Sequence, residues 1–425
     1  MPDSIPGDLT TNATLTVGGS ATSTIDTPTD HDWFEITLTA GQAVDVLVTL
    51  GTLEDSYLNI RDSSGNIVYS DDDIIDGVNR ASEVNFNPSY TGTYNIDVSS
   101  WQDPTLGQSG DTYTGTGTYT VSVKPFTPPP LATNDQIAQQ LVSGYWGGDL
   151  HHFNVTQGGT ITVNISTLTP AEQNLALNAL QEWSDIIGVH FQQVTTSNAN
   201  IMLDDSKDPD GPIAATDANY SGQITTSAHV HISTDWVNNY GTSLDTYSFQ
   251  SYVHEIGHAL GLGHSGDYNT TADFPYDAKF LNDSWSTSVM SYFDQHQNTY
   301  FGNQGFTINF DATPMVADIL AMQSLYGLST TTRTGDTTYG DNSNAGGVYD
   351  ASAFPKVAYT IFDDGGNDTI DYSGTVASQL INLNPETFSN VDGYVGNLSI
   401  ARGVVIENAI GGNGSDTIVW AGVRY

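Results

Sequence analysis

The sequence predicts a multidomain chain: an N-terminal antiparallel β-sandwich, an α+β domain with a mixed sheet and two main helices, and a C-terminal β-rich domain. Three observations predict it. Up to about residue 126, apolar residues alternate with polar ones at the period of a strand; between 132 and 330 two segments switch to helical spacing; from 331 onward Gly, Asp, Asn and Thr recur between short apolar runs. The length, 425 residues, accommodates three domains of about 150 residues each.

In the first segment, 1–126, Phe34, Ile36 and Leu38 alternate with polar neighbours, as do Val44, Val46, Val48 and Leu50, then Tyr94, Ile96 and Val98, then Tyr119, Val121 and Val123. Each run should bury one face, with turns at Gly41-Gln42, Ser64-Gly65-Asn66 and Thr91-Gly92. Asp71, Asp72, Asp73 and Asp76 read either as a calcium loop or as a solvated acidic turn, the second being the simpler reading. The prolines of Lys124–Pro130 lack amide donors and make a stiff spacer, so the linker is placed at 127–131.

The middle segment, 132–330, contains a helix that Thr169 caps, Pro170 opens and Gly188 stops, with Leu175, Ala179, Leu180, Trp183 and Ile187 on one face. Val189–Val194, Asn200–Leu203 and His229–Ile232 are strand candidates. A second helix runs from about Asp245, taken as its N-cap, to Gly261. In the last segment, 331–425, Gly411–Val419 follows the glycine-aspartate nonapeptide G-G-x-G-x-D-x-U-x, and Gly365–Ile370 is a shortened version.

Composition removes several function classes. Forty-nine acidic residues against nine Lys and Arg leave a net charge of −40, so no basic surface exists for nucleic acid or for an anionic membrane. No run of about 18 apolar residues suggests membrane insertion, and the first residues lack a basic and apolar leader. The absence of cysteine excludes disulfides, thiolate zinc sites and cysteine nucleophiles; any metal must be held by His, carboxylates, Tyr or carbonyls.

The chemistry concentrates in His254-Glu255-Ile-Gly-His258-Ala-Leu-Gly261-Leu-Gly-His264. Residues four apart on a helix share a face, so His254 and His258 can meet one metal while Glu255 reaches the water beside it. Gly261 and Gly263 free the backbone to turn and bring His264 in as third ligand, which leaves a fourth zinc position open to water, as a catalytic site requires. In a chain this poor in His and Glu, H-E-x-x-H arises by chance only about 0.005 times, so coincidence explains it badly.

With Ser288-Val-Met290-Ser-Tyr292 downstream, these residues resemble a metzincin. In that class a methionine turn, here at Met290, floors the zinc, and in the serralysin and astacin branches a tyrosine, here Tyr292, approaches the metal. The resemblance to serralysins runs from about Ala132 to the C-terminus through Asn134-Asp-Gln-Ile, Gly266-Asp-Tyr-Asn, Asp318-Ile-Leu-Ala-Met-Gln, Leu325-Tyr-Gly, Thr332–Gly340 and Ile406-Glu-Asn-Ala-Ile-Gly. Ser265 departs toward matrixins, and only one full nonapeptide is present, so an abbreviated β-roll is expected. The segment around Asp30-His-Asp-Trp-Phe and Gly117–Val123 resembles bacterial pre-peptidase C-terminal domains.

The resemblance implies a secreted, extracellular bacterial zinc endopeptidase, monomeric, acting on proteins or peptides. Zinc would be held by His254, His258 and His264 with Tyr292 nearby, and Glu255 would be the base. Calcium would be held by the Arg333, Gly335 and Thr337 carbonyls with Asp363, Gly365, Gly366 and Asp368, and again around Glu407, Gly412, Gly414 and Asp416. The N-terminal module is a candidate for contact with a surface polymer. The rival expectation is a catalytically silent adhesion protein on the same scaffold.

Overall fold

The computed structural model describes residues 5–72, 80–104, 114–209 and 211–420. The chain forms two compact units, Met1–Pro128 and Pro129–Tyr425, which meet inside the proline-rich segment.

Among the described residues the first unit holds eight strands: β1 Ser20–Ile25, β2 His31–Leu38, β3 Val44–Leu50, β4 Ser56–Arg61, β5 Ile67–Asp71, β6 Glu83–Phe86, β7 Gly92–Ser100 and β8 Gly117–Pro125. They make two four-stranded sheets, β1-β8-β3-β6 and β2-β7-β4-β5, with antiparallel pairing throughout. The alternating residues Phe34, Ile36, Val46, Val48, Ile96, Val98, Val121 and Val123 form one apolar core.

The expectation that each run buries one face needs correction at β7, where both faces are buried. Asp97, on its second face, accepts from His31 Nδ1 at 2.8 Å and Arg61 Nε at 2.8 Å, while His31 Nε2 meets Asp103 at 2.7 Å. Ion pairing, invisible to an apolar periodicity, covers that face. Of the acidic cluster, Asp71 accepts from the Glu83 amide at 2.9 Å; Asp73 and Asp76 lie outside the described residues.

The second unit opens with α1 Asn134–Gln139, which continues as a π-helical turn to Gly144. Its sheet comprises β9 Thr160–Asn164, β10 His190–Gln193, β11 Ile201–Asp204, β12 Ala214–Ser221 and β13 Ile224–Ile232 in the order β10-β9-β11-β13-β12. All neighbours are parallel except the β12-β13 hairpin, so the sheet is mixed and β12 is an antiparallel edge.

Helix α2, Pro170–Ile187, has the expected limits: Thr169 makes a capping box with Glu172, and Gly188 ends it in the left-handed conformation at φ 65°. After α3, Thr234–Tyr240, comes α4, Tyr247–Ala259. Its N-cap is Thr246, not Asp245, because the preceding Ser243–Thr246 turn closes first, with Thr246 Oγ1 donating to Ser243 O at 2.7 Å. The short α5, Thr299–Gly302, and the eleven-residue α6, Val316–Tyr326, follow. Helix α6 makes a third substantial helix beyond the two expected; it is apolar almost all round, so it shows no amphipathic stripe.

The remainder is β and turn, as the composition predicts. It comprises β14 Phe310–Asp311, β15 Thr338–Gly340, β16 Val357–Ile361, β17 Thr369–Asp371, β18 Leu380–Asn382, β19 Phe388–Ser389, β20 Leu398–Ile400, β21 Asn408–Ile410 and β22 Thr417–Val419. Strands β15-β17-β21 and β18-β22 pair in parallel, like the rungs of a short roll. One core runs unbroken from Ile137 on α1 through Trp183, Val253 and Met290 to Ile406.

Candidate metal centre

Helix α4 presents His254 and His258 from successive turns, and the chain then reverses to return His264. Gly261 makes the reversal at φ 113°, with its Cα so close to the His151 carbonyl that a Cβ would lie 1.8 Å from that oxygen. Gly263 serves differently: its backbone is not left-handed, but the Tyr145 ring fills the place of a side chain, and a Cβ there would lie 2.4 Å from the ring atoms. The Gly263 amide donates to Leu141 O at 2.7 Å and the Trp146 indole donates to Gly261 O at 3.0 Å. Residues 141–151 therefore hold the third histidine in place.

The three Nε2 atoms converge: His258 Nε2 lies 3.1 Å from His254 Nε2 and 3.0 Å from His264 Nε2. Each Nδ1 faces a backbone carbonyl, Val289 O at 2.8 Å, Leu262 O at 2.8 Å and Tyr268 O at 2.9 Å respectively. A carbonyl only accepts, so each Nδ1 carries the proton and each Nε2 turns a lone pair toward the same point. Three acceptors at such distances repel one another unless a cation lies between them. Burial pushes His254 down to about 4 and His258 to about 3, and holds His264 well below its ordinary range, which keeps all three rings neutral with the Nε2 lone pairs unprotonated. This donor set fits zinc with its fourth position open.

Glu255 is buried beside them. Thr216 Oγ1, from the edge strand β12, lies 2.8 Å from its Oε2 and 2.9 Å from its carbonyl, which fixes the carboxylate and leaves Oε1 for water. Burial raises the Glu255 carboxyl to about 7, with the Thr216 hydroxyl acting in the opposite direction.

Met290 is fully buried beneath α4, and a Cβ on Gly257 would come within 2.7 Å of its sulfur. Asp318 of α6 builds that turn, accepting from Ser288 Oγ at 2.6 Å and from the amides of Val289 at 2.8 Å and Met315 at 2.7 Å. The same Val289 then offers its carbonyl to His254, so Asp318 reaches the first ligand through one residue. The Tyr292 ring stands 4.5 Å from the His264 ring between centroids, and its hydroxyl accepts from the Thr270 amide at 3.3 Å. Tyr268 ties the two together: its hydroxyl accepts from the Tyr292 amide at 3.2 Å and donates to buried Asp283.

In the C-terminal part, Thr337 N and Oγ1 donate to Asp368 Oδ1 at 2.8 Å and Gly335 O at 2.9 Å, and Asp363 accepts from Gly365 N at 2.7 Å. Gly366 is bare at a point where a Cβ would meet Gly335 O at 2.4 Å and Asp368 Oδ1 at 2.7 Å, and Asp368 Oδ2 is buried without a partner. Burial, followed by Asp363 and Glu407, raises Asp368 to about 6. This oxygen-rich cradle fits calcium. The Arg333 side chain points elsewhere, to Asp185 at 2.6 Å and over the Tyr349 ring. Glu407 accepts from the Asp368 amide at 2.8 Å, so it joins the first group rather than the second. Asp416 accepts from Gln379 N at 3.0 Å, with Gly412 and Gly414 packed against the carbonyls of Thr375 and Ala377.

Sequence reasoning missed Thr216, Gly257 and the Tyr145–His151 segment. The density of rings and glycines in Tyr145-Trp-Gly-Gly-Asp-Leu-His-His152 was the one available signal for the last.

Imidazoles from a helix and its following turn, set over a buried methionine, place the centre among the metzincins. The comparisons are consistent with that class. The Matrixin family model matches residues 157–278, Peptidase M10 serralysin C terminal matches 328–424, the bacterial pre-peptidase C-terminal domain matches 30–100, and Peptidase M66 matches 237–369. Metallopeptidase AprA of Pseudomonas marginalis is 37% identical over 319 residues, 68% of this chain and 65% of that one. Serralysin B of Dickeya chrysanthemi is 40% identical over 263 residues, 59% and 53% of the two chains, and Serralysin C of the same organism 41% over 252, 57% and 51%. The chain thus spans between half and two thirds of the length of these curated relatives. Together these matches support a serralysin-family metzincin.

Proposed function

We propose that the chain is a secreted zinc endopeptidase whose C-terminal part is braced by calcium. The observation that carries this reading is the convergence of three neutral Nε2 atoms beside a carboxylate with one oxygen left for water. Zinc held by His254, His258 and His264 would supply Lewis acidity and an acidified water. Glu255 takes the proton from that water at Oε1 and returns it to the leaving amine, while Thr216 holds Oε2 so that the carboxylate does not swing away. The Tyr292 hydroxyl is the donor available for the developing oxyanion. An extended peptide adds to the edge strand β12, which places its main chain over Glu255.

Asp363, Asp368 and Glu407 with the Gly335 carbonyl would hold one calcium, and Asp416 with the neighbouring glycine loop a second; these ions brace the roll and take no part in hydrolysis. Similarity to named peptidases supports protein or peptide substrates, and no helix among the described residues is long and apolar enough to cross a membrane. The deciding experiment is casein cleavage by the full chain before and after chelation. Cleavage that stops on metal removal and returns with zinc is expected; a chain carrying one zinc per molecule and cleaving nothing would overturn the reading.

A further inference from the structure

Beside His264 the chain builds a wall of four rings that the hydrolytic chemistry leaves unused. Tyr145 stands edge-on to the His264 imidazole, 5.1 Å between centroids, and to Trp146 at 4.9 Å. Trp146 meets His151 at 5.0 Å and Tyr220 at 6.1 Å, and His151 stacks on Tyr220 at 3.8 Å with 24° between the planes. Tyr220 is 38% exposed and the other three are half-buried, so the wall presents ring surface to solvent. Burial holds the His151 imidazole below its ordinary range, so the stack is uncharged at neutral pH.

The position of the wall gives it a direction. Thr216, which touches Glu255, and Tyr220 both lie on β12, and four residues of strand span about 13 Å. A peptide pairing antiparallel to that edge, the more stable of the two ladders, runs opposite to β12, so its residues facing Tyr220 lie N-terminal to the bond held at Glu255. The wall begins at His264 itself and is continuous with the edge on which the peptide lies. Resting on the endopeptidase reading, we infer that Tyr145, Trp146, His151 and Tyr220 form a specificity subsite for an aromatic side chain about two to four residues N-terminal to the scissile bond. A flat ring can meet them in the edge-on and stacked arrangements they already make with one another; an aliphatic side chain forgoes that geometry.

The test uses full-length protein, the variants Tyr220→Ala and Tyr220→Phe, and a peptide panel carrying Phe, Ala or Lys at the positions N-terminal to the cleaved bond. Wild type should favour Phe over Ala by about five- to tenfold in kcat/KM. That ratio should fall to near one in Tyr220→Ala and persist in Tyr220→Phe. An unaltered ratio in Tyr220→Ala, no ratio in wild type, or a preference for Lys over Phe would each overturn the inference. A second readout does not need catalysis: acetyl-Phe-Ala-Ala should bind the zinc-free chain more tightly than acetyl-Ala-Ala-Ala in titration calorimetry, and Tyr220→Ala should erase the difference. Ring-dependent binding without any proteolysis would sink the endopeptidase reading and leave the ring subsite standing. Proteolysis with neither preference nor ring-dependent binding would sink the subsite alone.

Discussion

At the scale of single residues, function rests on side chains whose neighbours fix one orientation and one protonation state. Glu255→Ala should keep zinc bound, measured by metal analysis, while casein cleavage falls by about two to four orders of magnitude; full retained activity would remove Glu255 as the base. Thr216→Val deletes the hydroxyl that holds Oε2 and should lower kcat several-fold, with Thr216→Ser restoring most of it. Equal losses in Val and Ser would make Thr216 a packing residue only. In the N-terminal unit, contact first with Asp97 and also with Asp103 raises His31 to about 9 from an ordinary 6.5. The folded state then binds a proton more tightly than the unfolded chain. Its stabilisation is complete below about pH 6.5, declines by at most about 1.4 kcal/mol per pH unit, and is gone above about pH 9. Denaturant unfolding of the N-terminal unit should show this decline between those limits, and His31→Gln should flatten it.

Among the elements, the one with least tolerance is the turn after α4. Gly261→Ala demands a left-handed alanine whose methyl overlaps the His151 carbonyl, a backbone atom that cannot move aside cheaply. The expected result is a loss of about 2 kcal/mol or more in stability together with weaker zinc binding, because the turn carries His264. An unchanged melting temperature and zinc affinity would show that residues 141–151 do not hold the turn. Helices α2 and α4 were legible because their caps and apolar stripes are local signals. Helix α6 was not, since a helix apolar almost all round has no stripe, and β12 was not, since its residues Ala214–Ser221 are mostly polar or small and only half-covered at an edge.

Over the whole molecule, the second unit shares one core between its three-histidine part and its roll-like part, so disturbance of the roll should be felt at the histidine cluster. If calcium is held there as proposed, its removal would leave Asp363, Asp368 and Glu407 crowded together without a counter-ion. Thermal unfolding should shift downward in a calcium chelator and recover on adding calcium, by about 2.7 kcal/mol at a hundredfold excess over the dissociation constant. A melting temperature indifferent to calcium would contradict the cradle. The net charge of −40 adds to this, because a bound cation relieves repulsion that extends beyond its ligands.

The sequence alone determined the order of β, α/β and β segments, the helix carrying His254 and His258, the position of Glu255 and the need for a turn before His264. All of these depend on spacing within about ten residues, where the backbone period dictates which side chains face together. Only the tertiary structure decided that Thr216 holds Glu255, that Asp318 braces the methionine turn, that Glu407 joins Asp368, and that rings from residues 145, 146, 151 and 220 meet beside the metal centre. Those partners are separated by tens of residues and meet through strand register and helix packing, which no local periodicity encodes.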